Sequence, residues 1–255
     1  MRILLGSPDN DQAGLRGIFR TEGHLADLAE PFGELAEIAQ HHGPYDVVLL
    51  AVVGCRAQAM PPLREIRRRG LRLPVLILAA HLDEQAERDA LHAGADDVLA
   101  RGVPMPLLVA RLQALVRRAL GHSSALLTCG NILLDQGRQE VSVDGRPVRI
   151  TRREFEVLEM LMLRRGVLLT KEHFMHRFYG AEDGPDQRIL DVFVCKLRRK
   201  LAAEGGAEIV RTVWGRGYVL DEPTQAAIAT ARARFAAGQP RAQRAHMGRL
   251  QLASA

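Results

Sequence analysis

The chain has 255 residues, 47% of them hydrophobic and 25% charged, with a formal net charge of +5. That length suits two domains with a core each, and no apolar run reaches the 18 or so residues of a membrane span or a signal-peptide core behind MRILLGSPDN. The charge excludes a basic domain as such: residues 1–122 carry 14 Lys and Arg against 15 Asp and Glu, residues 123–223 carry 16 against 15, and the excess is five arginines in the acid-free segment 224–255. Any case for nucleic-acid binding must therefore rest on how charge is arranged along one element. Cys55, Cys129 and Cys195 lack metal-ligand spacing and read as reduced thiols of a cytoplasmic protein.

Short apolar runs predict strands at Arg2–Leu5, Leu25–Leu28, Asp46–Val53, Pro74–Ala79 and Asp97–Ala100. Helical patterns fall between and after them, near Gln12–Arg20, Phe32–His41, Leu63–Arg69, Glu84–Ala93 and Met105–Leu120. The runs VVLL and VLIL are almost continuously apolar, as parallel strands covered on both faces require. Five βα units in about 120 residues make one doubly wound α/β domain, residues 1–120. In such a domain the loop-side end of a strand is where a reactive carboxylate would sit, and in YDVVLLAVVGC that place is held by Ala51.

After a short linker, 121–125, the pattern changes. Leu126–Ile150 holds short segments separated by turns at Asp135-Gln136-Gly137 and Asp144-Gly145, which predicts a small antiparallel sheet. Thr151 with Glu154 three residues later is a capping box. It opens a helix whose broad apolar face carries Phe155, Val157, Leu158, Leu161 and Met162. A second helix begins near Thr170 and His173 and ends near Gly180. A third follows Pro185, and EIVRTVWGRGYVL reads as a hairpin turning around Gly215–Gly217.

The third helix is the most informative element. Leu190, Val194, Leu197 and Leu201 form a core stripe. At 100° per residue, Arg188, Val192, Cys195 and Arg199 point almost opposite it, with Lys196 and Arg198 on the flanks. A helix anchored by that stripe would present cations to a major groove and to phosphates. An ordinary solvated basic face explains the helix alone equally well. Three helices followed by a hairpin with Arg216 at its tip make a winged helix-turn-helix, which favours DNA over the solvated face and over a membrane surface.

ITRREFEVLEMLMLRRGVLLTKEHFMHRFYG, RILDVFVCKLRRKLAAEGG and IVRTVWGRGYVL closely resemble the effector domain of OmpR-type response regulators, over roughly residues 126–223. GADD at Gly94–Asp97, the strand placement and LLVARLQALVRR resemble the receiver domain and its last helix. The resemblance implies a transcription factor that binds direct-repeat double-stranded DNA as a homodimer, with RNA polymerase as a further partner and no membrane association. It places Arg188, Val192, Cys195, Lys196 and Arg199 towards the groove, and Arg198 and Arg216 towards phosphates or the minor groove. Trp214 is either wing core, the favoured reading, or a backbone contact.

The departures from the family cluster where its chemistry lies. Ser7 and Pro8 match the acidic pair that binds Mg²⁺, with Asp9 alone beside them. Ala51 matches the phosphoacceptor, Ala79 the hydroxyl sensor, Arg101 the lysine, Gly102 the cis proline and Val98 the aromatic switch. Acyl-phosphate chemistry needs a carboxylate nucleophile and oxygen ligands for a divalent cation, and an arginine fork does not replace an ammonium. A pseudo-receiver without cofactor or metal is implied, used for dimerisation through the surface matched by Asp97, Leu107 and Arg111. Two other uses stay open: a domain sensing a small molecule or recruiting a partner protein, and phosphorylation elsewhere, as at Ser7. An enzyme is disfavoured, because GSPDND lacks the glycine spacing of a nucleotide fingerprint. His41 with His42 reads as a solvated pair and His173 with His176 as surface or phosphate-contacting residues. The segment 224–255 is expected to be a disordered basic tail.

Overall fold

The computed structural model describes residues 1–8, 12–180 and 185–238. They divide into two compact units, Met1–Ser123 with Glu172–Pro185, and Ser124–Lys171 with Asp186 onward. The change of unit after Ser123 falls inside the expected linker.

In the first unit β1 (Arg2–Gly6), β2 (Leu25–Leu28), β3 (Val47–Gly54), β4 (Val75–His81) and β5 (Asp97–Ala100) form a parallel sheet in the order β2-β1-β3-β4-β5. Between and after them run α1 (Gln12–Thr21), α2 (Leu35–His41), α3 (Met60–Arg68), α4 (Glu84–His92) and α5 (Met105–Ala119). The apolar runs have the burial they predict, with Val47 to Val52 and Val75 to Ile77 fully enclosed. One sheet face packs on α2, α3 and α4 through Leu35, Leu63, Ile66 and Ala90. The other packs on α1 and α5 through Phe19, Leu108 and Leu112. Each such large side chain removed from water contributes about 1.5–3 kcal/mol. The GADD stretch plays a structural part, because Asp96 Oδ2 accepts from Arg67 Nη2 at 2.7 Å and from Val75 N at 2.8 Å, tying α3 to the start of β4.

The second unit begins with the antiparallel sheet β6 (Leu126–Cys129), β7 (Ile132–Asp135), β8 (Glu140–Val143) and β9 (Arg146–Pro147). The Asp144-Gly145 turn has φ of 47° and 78°, the left-handed pair that a two-residue hairpin loop needs. The helices α6 (Arg152–Leu163) and α8 (Arg188–Ala203) follow, with α7 (Lys171–Tyr179) between them in the chain but grouped, from Glu172 on, with the first unit, and the wing sheet orders β10 (Leu169–Thr170), β12 (Gly217–Leu220) and β11 (Val210–Val213). Glycine is required at 217, because a Cβ there would lie 2.0 Å from the Leu169 carbonyl oxygen of the neighbouring strand. The architecture is thus a five-stranded parallel-sheet receiver-like domain and a winged helix-turn-helix domain.

The expectation of disorder after 223 fails for its first part. Gln225–Gly238 is a helix, α9, opened by Thr224, whose Oγ1 accepts from Ala227 N at 3.2 Å. Ile228 is buried, and Arg232 grips Asp144 with Nε 3.1 Å from both carboxylate oxygens. Cohesion with the domain, which an acid-free composition does not reveal, orders this helix. Residues 239–255 lie outside the described residues.

Candidate nucleic-acid interface and the sheet end at Ala51

The α8 stripe is buried as its spacing predicts: Leu190, Val194, Leu197 and Leu201 are each 3% exposed or less. The helix start is held by Asp186, whose Oδ1 accepts from Arg188 N at 2.8 Å. With one face fixed, Arg188, Val192, Cys195, Lys196 and Arg199 are all exposed on the other side. Arg188 has only a solvent-facing pair with Asp186 at 3.9 Å, which contributes little. Lys196 and Arg199 have no acidic partner among the described residues. Three cations and an apolar Val192 therefore share one exposed helix face.

Two expectations change. Arg198, expected at phosphates, lies half-buried, with Nε 3.1 Å and Nη2 2.7 Å from the Val210 carbonyl oxygen and Nη2 2.9 Å from Thr212 Oγ1. It follows Leu197 of the buried stripe, so its stem runs along the packed side and its fork fastens β11 to α8. Trp214 is 89% exposed, against the favoured reading as wing core. It sits in the turn beyond the last paired residues, Val213 and Gly217, where alternation no longer turns side chains inward. Arg216 is exposed in the same turn, as expected.

Two polar clusters set the pose of α8, and the sequence reading missed both. Asp191 accepts from Lys171 Nζ at 2.8 Å and from the Tyr218 hydroxyl at 2.6 Å, joining α8 to the wing. The bond from Lys171, then that from Tyr218, hold the Asp191 carboxyl below its ordinary range. Burial, reinforced by Asp191, pushes the Tyr218 phenol up. At the other end of α8, Lys200 Nζ donates to Glu154 Oε2 at 2.6 Å, and the same oxygen accepts from Thr151 N at 2.6 Å in the completed capping box. Burial alone would raise the Glu154 carboxyl, but the Lys200 and Thr151 bonds outweigh it and its pKa is lowered. The capping box was legible in the sequence; its use of a buried carboxylate to anchor Lys200 was not.

The residues matching the phosphorylation site gather at one end of the parallel sheet. Ala51 lies opposite Leu78 and Val52 opposite Ala79, while Arg101 N donates to the Ala79 carbonyl oxygen at 2.8 Å. Ser7 follows directly after β1 and is buried, as are Ala51 and Ala79. Asp9 lies outside the described residues. Ala51 belongs to the apolar cluster with Leu49, Leu78 and Leu108. Just beyond it, Gln58 Oε1 accepts from Val53 N at 2.8 Å and Gly54 N at 3.0 Å, so these strand-end donors are already satisfied. Asp97 and Arg111, placed on the dimerisation surface, pair within the chain at 2.9 Å, and Leu107 is 46% exposed.

No helix among the described residues is long and apolar enough to cross a membrane. The comparisons with known proteins agree with the two-domain reading. Residues 145–220 match the family described as "Transcriptional regulatory protein, C terminal". The chain is 35% identical over 230 residues to the cell cycle transcriptional regulator CtrA of Caulobacter vibrioides, covering 88% of this chain and 98% of that protein. The chain belongs to the OmpR/PhoB family of response regulators. The cell cycle response regulator CtrA of Brucella anthropi is 36% identical over 228 residues, covering 88% of this chain and 97% of that protein. Among solved structures, the DNA-binding domain of CpxR from E. coli is 31% identical and is covered in full by 40% of this chain, at a TM-score of 0.36. As an OmpR/PhoB member the protein is a DNA-binding transcriptional regulator, not an enzyme.

Proposed function

We propose that this protein is a sequence-specific transcriptional regulator whose DNA binding does not depend on aspartyl phosphorylation. The observation that carries the reading is the exposed α8 face, where Arg188, Lys196 and Arg199 surround Val192 and Cys195 while Leu190, Val194, Leu197 and Leu201 fix the helix from behind. Arginine forks on such a face suit guanine edges, and Val192 suits a thymine methyl group. Arg216 reaches phosphate or the minor groove from the wing. The receiver-like domain supplies no nucleophile at Ala51 and no carboxylate pair at Ser7 and Pro8, so phosphoryl transfer does not set the state of the protein. It serves dimerisation, which aligns two effector domains on direct repeats, with Leu107 as the apolar contact beside the Asp97–Arg111 pair. RNA polymerase is the further partner that the family suggests.

Selection of duplexes from a random pool by the full chain, without phosphodonor, tests this reading. A recovered direct repeat bound more tightly than a scrambled duplex supports it. Equal binding to both would leave the chain a non-specific polyanion binder. A requirement for acetyl phosphate would overturn phosphorylation independence. Against the alternative, a receiver-like domain used for sensing or recruitment, stands the full burial of Ala51 in an apolar cluster.

A further inference from the structure

Beyond the part matched by the transcriptional-regulator family, α9 builds a cleft against the DNA-binding domain. One side of the helix, Ile228, Arg232 and Phe235, docks. Ile228 is buried, Arg232 Nη2 lies 2.5 Å from Asp144 Oδ1, and the Arg146 guanidinium carbon stands 4.3 Å over the Phe235 ring. The approach is close enough that a Cβ on Gly205 would come within 2.9 Å of Phe235 Cβ, and one on Gly130 within 2.4 Å of Pro223 Cγ. An adjoining side of the same helix, Ala227, Thr230, Ala231 and Arg234, is left facing the C-terminal half of α8, the loop 206–209 and the start of β11 across a cleft of about 510 Å³. Small side chains keep the α9 wall open, and Arg234 stands on it.

Arg198, Arg199 and Arg234 all line this cleft, with Glu208 as the acid among the lining residues. Arg198 is turned to β11, but Arg199 and Arg234 are exposed and neither has an acidic partner among the described residues. Two unpaired guanidinium groups facing one concavity repel each other, and an anion between them removes that cost. Arg199 is also the last member of the α8 face that runs from Arg188 through Val192 and Cys195, so the cleft continues the candidate DNA surface without a break.

We infer that the α8–α9 cleft is a second DNA-contact site, which takes a backbone phosphate of the duplex flanking the sequence read by α8, with Arg199 on one wall and Arg234 on the other. The inference rests on the DNA-binding reading above. A phosphate held there carries no base information; it lengthens the footprint and raises affinity for every flank. Because α9 is docked by Arg232 and Phe235, Arg234 is presented at a fixed position and acts as more than charge on a tethered end.

The test uses the full chain and the duplex it selects, prepared with long flanks and with flanks trimmed to the repeat. Arg234 is exposed and absent from the docking contacts, so Arg234→Ala leaves the fold intact. It is expected to weaken binding to the long duplex several-fold, whatever the flank sequence, and to lower the slope of log affinity against log salt by about one phosphate's worth. The trimmed duplex should bind wild type and variant alike, and Arg234→Lys should restore most of the loss. Equal affinity and equal salt slope for wild type and Arg234→Ala on the long duplex would overturn the second contact while leaving the DNA-binding reading intact. A wild-type chain that selects no sequence would remove that reading and this inference with it. Loss of the same size on trimmed and long duplexes would also overturn it, since Arg234 would then act as general charge.

Discussion

The two domains of this protein have kept opposite things. The receiver-like domain has its packing, with the apolar runs Val47 to Val52 and Val75 to Ile77 enclosed between two helical layers, while the sheet end carries Ala51, Ala79, Ser7 and Pro8 and no carboxylate at these positions. The winged-helix domain has both its packing and an exposed basic face on α8, and commits part-buried polar clusters, Glu154–Lys200 and Asp191–Lys171–Tyr218, to the pose of one helix. The contrast teaches that an α/β sheet does not need its catalytic residues to fold, because the apolar strands carry the stability. A reading helix, by contrast, is only as useful as the contacts that aim it.

The comparison breaks most visibly at the core stripe. Leu197 is fully buried at the centre of α8, so Leu197→Ala is expected to destabilise the winged-helix domain by about 2–5 kcal/mol. Denaturant unfolding of the full chain should show the transition of that domain moving while the receiver-like domain unfolds as before. A shared shift would mean that the domains unfold as one cooperative unit.

The Glu154–Lys200 pair gives the next effect, with a pH signature. The Glu154 carboxyl is lowered in the folded protein, so it contributes stability that is fully present above its unfolded value of about 4.3 and is lost as pH falls through the folded value. Lys200→Met leaves a buried carboxylate with only its capping-box donor, and should cost about 1–3 kcal/mol at neutral pH. The deficit should shrink as pH falls through and below the ordinary glutamate range, where the carboxyl of the variant, raised by burial, takes up a proton before that of the wild type. A deficit independent of pH would assign the loss to packing of the lysine stem.

Arg199 and Arg198 sharpen the division of labour on α8. Replacing a base-reading arginine costs about 1–3 kcal/mol of discrimination between cognate and scrambled duplexes. Arg188→Ala should show that loss, whereas Arg199→Ala, at the phosphate cleft, should weaken both duplexes alike. Arg198→Ala should instead lower thermal stability, since it removes the clamp on Val210 and Thr212, with little change in sequence preference. If Arg188→Ala also weakens both duplexes equally, the face positions the protein and does not read it.

Much of this was legible in the sequence, and the misses share a cause. The five strands, the stripe at Leu190, Val194, Leu197 and Leu201, the Thr151–Glu154 box and the Asp144-Gly145 turn are local patterns, with partners fixed by periodicity or by neighbours three residues away. That position 51 carries no carboxylate was legible too, since it is visible without coordinates. What escaped was long-range: Arg198 reaching β11, Lys171 and Tyr218 converging on Asp191, and α9 docking through Arg232 on Asp144, 88 residues earlier in the chain. For α9 a local signal existed, Thr224 after Pro223 followed by an alanine-rich run with Ile228 and Phe235 seven apart. The acid-free composition outweighed it. Trp214 lies past the last paired position, Val213 with Gly217, where nothing local decides whether its ring turns inward.

The smallest expected effect is also the most direct test of what separates the domains: a phosphodonor should change nothing. An acyl phosphate forms when a carboxylate oxygen attacks phosphorus while a divalent cation draws charge from the phosphoryl oxygens. Position 51 offers a methyl group within an apolar cluster, positions 7 and 8 offer no carboxylate, and the amides of Val53 and Gly54 already donate to Gln58. Incubating the full chain with acetyl phosphate and Mg²⁺ should leave its intact mass, its sedimentation and its affinity for the selected duplex unchanged. Ala51→Asp restores the nucleophile alone. It should still gain no stoichiometric phosphoryl adduct, because the cation ligands at Ser7 and Pro8 and the hydroxyl at Ala79 stay absent. A wild-type adduct would place the acceptor elsewhere, and mapping it to Ser7 would revive the one other acceptor considered for this sheet end. An adduct on Ala51→Asp but not on wild type would show that one side chain separates this sheet from working chemistry, and that the other replacements are tolerated by the reaction.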